Sequence, residues 1–249
     1  MSDPAVALVT GAGSGIGRAI ARRLADEYAV VVNDVDAEAA TETAVEIEQD
    51  GGDATAIEAD VADHDAVDDL VDRTLDAYGR IDLLVNNAGI ETVYPFTDLP
   101  EAEWDRVHDV NLKGQFLLSQ RVANEMIDRD VAGDIVNVSS VHDVLPRTEK
   151  IHYDTAKAGV LMLTKDMALE LAEHGISVNC VAPGAIETPM NAELLDDPDE
   201  IERMNERIPW GRMGKPEEIA DAVAFLASQD ATYVTGSRLC VDGGLSLDP

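Results

Sequence analysis

The sequence predicts a single α/β domain of the doubly wound type, with about seven parallel strands and helices on both faces of the sheet. Three observations predict it. Short β-type runs alternate with longer amphipathic stretches along the whole chain, the pattern of a parallel sheet joined by right-handed helical crossovers. A glycine-rich turn, Thr10-Gly11-Ala12-Gly13-Ser14-Gly15-Ile16-Gly17, links the first run to the first helical stretch. No Pro/Gly/Ser-rich linker or change of composition divides the 249 residues, so 1–249 reads as one domain.

Residues 5–10, 29–34, 54–58, 81–86, 135–139, 177–181 and 238–241 read as strands. They are short apolar runs bounded by turn residues, as strands buried on both faces must be. Residues 15–27, 36–49, 63–78, 101–128, 153–173 and 216–227 space their apolar residues as amphipathic helices do. Residues 184–213 break the alternation; they contain Pro189, Pro198 and Pro209 and a short helical patch at 199–206. A long irregular segment after a strand commonly forms a lid or binding loop, and that is the expectation here.

Composition narrows the function. Hydrophobic residues make up 45% of the chain, enough for a sizeable core. No apolar run is long enough to span a bilayer, and Met1-Ser2-Asp3-Pro4 lacks the basic start of a signal peptide, so the expected location is cytoplasmic. Cys180 and Cys240 have no CxxC partner and read as reduced core cysteines; no metal site is apparent. Fifty acidic residues against eighteen basic ones give a formal net charge of -32. The acids are spread along the helical stretches (Asp36, Glu38, Glu42; Asp63, Asp65, Asp69) rather than gathered in a tail. Such self-repulsion destabilises a compact state in dilute buffer and is screened in molar salt, where the Debye length falls to about 3 Å. The expectation is a halophilic cytoplasm, that of a halophilic archaeon. Nucleic acid is excluded as a partner, because no basic stripe meets phosphates.

The glycine-rich turn lies where backbone N–H groups at a helix N-terminus can approach a pyrophosphate. Its spacing is G-x-x-x-G-x-G. At the end of the second strand, Asp34 can accept hydrogen bonds from adenosine ribose hydroxyls; with Asp36 beside it and no basic residue near, it repels a 2′-phosphate. NAD is therefore expected over NADP. Tyr153 and Lys157 are four apart, hence one turn above each other on one helix face. A phenol with a reference pKa of about 10 is no base near neutrality. An adjacent ammonium favours the phenolate, so Lys157 is expected to lower that pKa, with Ser140 holding the reacting oxygen.

Together these motifs resemble the short-chain dehydrogenase/reductase family over essentially the whole chain: Thr10-Gly11-x-x-x-Gly15-Ile16-Gly17, Asn86-Asn87-Ala88-Gly89, Asn111, Ser140, Tyr153-x-x-x-Lys157 and Pro183-Gly184-x-x-x-Thr188. The resemblance implies a Rossmann-type fold and a homotetramer built on the helices at 101–128 and 153–173. It implies a catalytic tetrad of Asn111, Ser140, Tyr153 and Lys157, with Asn111 holding a water that connects Lys157 to solvent. It implies cofactor contacts from Gly11, Ser14, Gly15, Ile16, Gly17, Asp34, Asp60, Val61, Asn87, Ala88, Gly89, Tyr153, Lys157, Pro183 and Gly184, with Ile186 and Thr188 on the nicotinamide carboxamide.

A narrower resemblance, to glucose 1-dehydrogenases of this family, lies in Ser139-Ser140-Val141-His142-Asp143 and Pro189-Met190-Asn191-Ala192-Glu193. It departs at Arg147-Thr148-Glu149-Lys150, which replaces an apolar, aromatic-bearing segment. Substrate contacts are expected from Glu91, Ser140, His142, Tyr153 and Asn191, and the expected reaction is oxidation of an aldose C1 hydroxyl to a lactone. The alternatives are a 3-oxoacyl reductase or a general secondary-alcohol dehydrogenase. A dinucleotide-sensing module without turnover would need a broken tetrad, and all four residues are present.

Overall fold

A computed structural model of the chain describes residues 4–247; residues 1–3, where the leader argument rests, and the side chain of Glu193 lie outside the described set. Seven strands form one parallel sheet in the order β3-β2-β1-β4-β5-β6-β7: β1 Ala5–Val9, β2 Tyr28–Asp34, β3 Ala54–Glu58, β4 Leu83–Asn86, β5 Asp134–Val138, β6 Ser177–Pro183 and β7 Arg238–Val241. The order reverses between β1 and β4, and a parallel sheet opens a crevice at that switch point beyond the strand ends.

The strands are near-continuously apolar because both faces are covered. Alternate residues of β1 show why: Ala7 and Val9 pack toward α1 (Gly15–Leu24), α2 (Ala37–Gln49) and α9 (Pro216–Leu226). Leu8 packs toward α3 (His64–Tyr78), α5 (Gly114–Asp128) and α6 (Ile151–Leu171). Helix starts follow local chemistry. Asp36 caps α2 by accepting from Glu38 N and Ala39 N, and Asp63 caps α3 by accepting from Asp65 N and Ala66 N. Gly79 closes α3 in the left-handed conformation (φ 76°), which glycine adopts without a Cβ penalty.

The continuous helix expected at 101–128 is broken. It forms α4 (Glu101–His108), a π turn at Asp109–Lys113 and then α5. Asn111 is fully buried in that turn: its Nδ2 donates to Ile90 O (2.9 Å) and its Oδ1 accepts from Ile90 N (2.8 Å). The helix bulges there and its amide is spent on the chain leaving β4. The segment expected as irregular at 184–213 is more ordered than its sequence suggests. It holds α7 (Ala192–Leu195) and α8 (Pro198–Arg207), the latter capped by Asp197 and opened by Pro198.

One buried polar chain crosses the second layer. Asn86 Nδ2 donates to Ser119 Oγ (2.8 Å) and to Asn137 Oδ1 (2.9 Å); Asn137 Nδ2 donates to Thr164 Oγ1 (2.9 Å). It ties β4 and β5 to α5 and α6, with all four side chains excluded from water. Asn137→Ala takes one buried hydrogen bond from each of Asn86 and Thr164 and opens a cavity, so chemical denaturation should show a loss of about 2–4 kcal/mol.

Candidate active site

The crevice at the switch point is the mouth of a cavity of about 1180 Å³. At one end β1 delivers Thr10, whose hydroxyl accepts from Asn87 N (3.0 Å) and Ala88 N (3.1 Å). Asn87 Nδ2 returns bonds to Thr10 O and Gly11 O (2.9 and 3.0 Å). The chain then turns through Gly11 (φ 60°) and Gly15 (φ 52°) into α1. A Cβ on Gly17 would stand 2.1 Å from Gly11 O, so only glycine lets the helix start this close to the strand end. The first turn of α1 holds no acid and Ser14 makes no side-chain cap bond, so the leading N–H groups face the cavity without a protein anion. That is the chemistry of a phosphate cradle.

Asp34 stands at the end of β2 on the cavity wall, with Oδ2 accepting from Gly13 N (2.9 Å) and Oδ1 from Asp36 N (3.1 Å). Capping of the next helix falls to Asp36 instead. Asp60 and Val61 line the same end.

At the other end β5 runs out into Ser139 and Ser140. Tyr153 lies in the first turn of α6, buried, and lines the cavity together with Ser140. Lys157, one turn on and also buried, donates from Nζ to Val138 O (2.8 Å). Gly89 lies between Asn111 and Lys157: a Cβ there would be 3.4 Å from Asn111 Oδ1 and 3.7 Å from Lys157 Nζ. Behind the serines, the fully buried Asp143 carboxylate meets Arg238 Nη2 of β7 at 2.7 Å, and Ser139 Oγ lies 3.0 Å from Asp143 and 3.2 Å from Lys157 O.

The electrostatics correct one expectation. The pKa of the Tyr153 phenol is not lowered overall in this fold. Burial comes first and pushes the phenol above its ordinary value, and the Glu91 charge adds to it; the Arg147 charge and the Ser140 hydroxyl act the other way. The ammonium lies 5.6 Å from the ring centre and is directed to Val138 O. Burial also brings Lys157 down to about 8, against the pull of Asp143 and Glu91.

His142 Nδ1 is 3.0 Å from Leu145 O. A carbonyl only accepts, so Nδ1 carries the proton and the neutral ring presents Nε2 as an acceptor. Burial and the Arg147 charge lower its pKa and favour that neutral form. Asn191 Nδ2 donates to Ile186 O (2.7 Å), which leaves Oδ1 as an acceptor. Glu91 is differently placed from expectation: it lines the cavity, but one oxygen accepts from Arg147 Nη2 (3.0 Å) and the other from Lys150 Nζ.

Every site residue named from the sequence lines this one cavity except Asn111, which lies behind Gly89. Arg147 and Asp143 carried no role in that reading. The signal for Arg147 was the charged segment 147–150 where an apolar one was expected. For Asp143 it was a carboxylate three residues past the strand-end serines.

A doubly wound sheet with a phosphate cradle at one end of a crevice and a Ser–Tyr–Lys group at the other defines an oxidoreductase acting on CH–OH groups. The family model described as "Enoyl-(Acyl carrier protein) reductase" matches residues 11–246. The chain is 46% identical to 3beta-hydroxysteroid dehydrogenase 1 of Eggerthella lenta, over 97% of this chain and 94% of that protein. It is 41% identical to glucose 1-dehydrogenase 2 of Bacillus subtilis, over 98% and 95%. The crystal structure of a gluconate 5-dehydrogenase from Burkholderia cenocepacia J2315 in complex with NADP and tartrate superposes with a TM-score of 0.93 at 40% identity, covering 98% of this chain and 96% of that one. The chain belongs to the short-chain dehydrogenase/reductase family, whose members use NAD(P).

The Lys157 value has a measurable consequence. Below about 8 the folded chain holds a buried ammonium at a cost, while an unfolded lysine keeps its proton to 10.5. The unfolded state binds more protons between those values, so this group makes stability rise with pH from about 8 toward 10.5. Denaturant melts across that range should show the rise, and Lys157→Met should remove it.

Proposed function

We propose that this chain is an NAD-dependent sugar dehydrogenase that oxidises the C1 hydroxyl of an aldose to the lactone. One observation carries the sugar reading: the reacting end of the cavity presents His142 Nε2 and Asn191 Oδ1 as acceptors beside Ser140 and Tyr153. A polyhydroxylated substrate satisfies such groups, whereas an apolar one leaves them unpaired at a cost of about 1–3 kcal/mol each. The Glu91–Arg147 pair on the same wall adds to that preference.

In this reading Tyr153 exchanges the proton of the substrate hydroxyl at its phenol oxygen and Ser140 hydrogen-bonds the same substrate oxygen. Lys157 holds the nicotinamide ribose. Asn111 has its amide committed to Ile90, so its main-chain carbonyl is the group left to hold a relay water for Lys157. Gly11, Ser14, Gly15, Ile16 and Gly17 cradle the pyrophosphate, and Asp34 takes the adenosine ribose and disfavours a 2′-phosphate. Asp60 and Val61 flank the adenine. Asn87, Ala88, Gly89, Pro183 and Gly184 line the cleft, with Ile186 and Thr188 at the carboxamide. The dinucleotide, when bound, accepts or gives the hydride. Residues 184–213 serve as the substrate lid.

A second reading keeps the chemistry and changes the substrate, to a 3-hydroxyacyl compound, a hydroxysteroid or another secondary alcohol. What favours it is the apolar part of the same wall, Leu145, Met190, Met204 and Leu245. Absorbance at 340 nm with NAD, tested against aldohexoses, a 3-hydroxyacyl thioester and a hydroxysteroid, separates the readings. Aldose-dependent reduction is expected, with kcat/KM higher for NAD than for NADP. Activity on the thioester or steroid alone sinks the sugar reading. Tyr153→Phe should lower kcat about 10²–10⁴-fold and leave NADH binding intact.

We also propose a cytoplasmic homotetramer suited to molar salt. Phe116 on α5 and Met162 and Leu169 on α6 are exposed apolar residues, which suits an interface along these helices. Asp36, Glu38 and Glu42 on or before α2, with Asp63, Asp65 and Asp69 at α3, all face solvent. The melting temperature should rise steeply from dilute buffer to molar KCl, and a salt-independent melt contradicts the halophilic reading.

A further inference from the structure

We propose that Arg147 is a positioning residue for the acid–base tyrosine: it lies on the Tyr153 ring as a second cation beside Lys157, and with its counterion Glu91 it sets how tightly the phenol holds its proton. The inference rests on the assignment of proton transfer to Tyr153.

The geometry singles Arg147 out. Its guanidinium carbon stands 5.1 Å from the Tyr153 ring centre, closer than the Lys157 ammonium at 5.6 Å, and both lie within the reach of a cation–π contact. Arg147 is not free to leave. Its main-chain N–H donates to Asp154 Oδ2 (2.8 Å), and Nη2 donates to Asp154 Oδ1 and Glu91 Oε2 (3.0 Å each). Asp154 follows Tyr153 directly in α6, so the helix that presents the phenol also anchors the guanidinium. Lys150 holds the other Glu91 oxygen. These side chains are 12–27% exposed, so their charges act through a medium less polar than water.

The charged and titratable groups around Tyr153 come from each neighbouring element. They are Asp154 and Lys157 on α6, Glu91 after β4, His142 after β5, and Arg147 before α6. His142 is held in its neutral form, and Glu91 in its charged form, because Arg147 and Lys150 together outweigh the burial that opposes ionisation. Arg147 draws the phenol toward ionisation and Glu91 opposes it. A brace that merely fixed the 144–150 loop would give the two residues one common effect. A tuning pair gives them effects of opposite sign.

The test needs no substrate, so its outcome is independent of whether the sugar reading stands. The five tyrosines are replaced by 3-fluorotyrosine, whose phenol is more acidic, and residue 153 is assigned in the ¹⁹F spectrum by its loss in Tyr153→Phe. Titration in molar KCl should place the midpoint of residue 153 lower in Glu91→Gln by about one pH unit, and higher in Arg147→Gln. Arg147→Lys, which keeps the charge, should stay within a few tenths of the parent. If Arg147→Gln does not fold, the other two variants decide. A midpoint in Glu91→Gln no lower than in the parent overturns the proposal, as does a shift of both Gln variants in the same direction.

Discussion

The hydrogen bonds that Thr10 and Asn87 exchange across the ends of β1 and β4 set the geometry of the whole cavity. A parallel sheet whose strand order reverses leaves its two central strands to diverge at their carboxyl ends, with main-chain groups that no ladder can satisfy. Here the Thr10 hydroxyl and the Asn87 amide satisfy them with side chains, which fixes the crevice at one width. The start of α1 follows, because Gly17 must pass within contact of Gly11 O. So does the placement of Gly89, whose backbone lies against Asn111 and Lys157 at the other end. The glycine-rich turn and the Ser–Tyr–Lys group are thus held on one rigid seam.

Along that seam the polar groups are buried in connected sets. Arg238 of β7 holds Asp143, Ser139 bridges Asp143 to the α6 backbone at Lys157, and Lys157 in turn reaches back to Val138 at the end of β5. Each partner compensates a desolvation that alone would be costly. The consequence is mechanical as well as electrostatic. The strand-end serines cannot move without disturbing the helix that bears Tyr153, which suits the proposed reaction, in which one substrate oxygen meets both hydroxyls.

Legibility in the sequence divides along the same physics. Alternating strands and helices, the glycine turn and Asp34 were readable, since each follows from local backbone or capping chemistry, and their positions differ from expectation by only a few residues. The π turn was not, because its cause is the distant Ile90 backbone that Asn111 binds. Nor was the balance at Tyr153: a four-residue spacing puts Lys157 on the right face but says nothing of burial or of the competing acceptor at Val138. The place of Glu91 after Asn86-Asn87-Ala88-Gly89 suggests a substrate ligand. Its partners Arg147 and Lys150 lie more than fifty residues away, and only the fold brings them together.

The two charge regimes of the molecule respond differently to salt. The outward faces of α2 and α3 carry acids whose repulsion acts through water, and it decays within about 3 Å at 1 M salt. The cations at the reacting end are arranged otherwise. Arg147, Lys150, Lys157 and Arg238 are all half-buried or buried, and Arg147, Lys150 and Arg238 each meet a carboxylate directly. Pairs removed from water are screened far less than exposed ones. Salt strong enough to quiet the surface therefore leaves the field at Tyr153 largely in place, because several of the eighteen basic residues stand where ions reach them least.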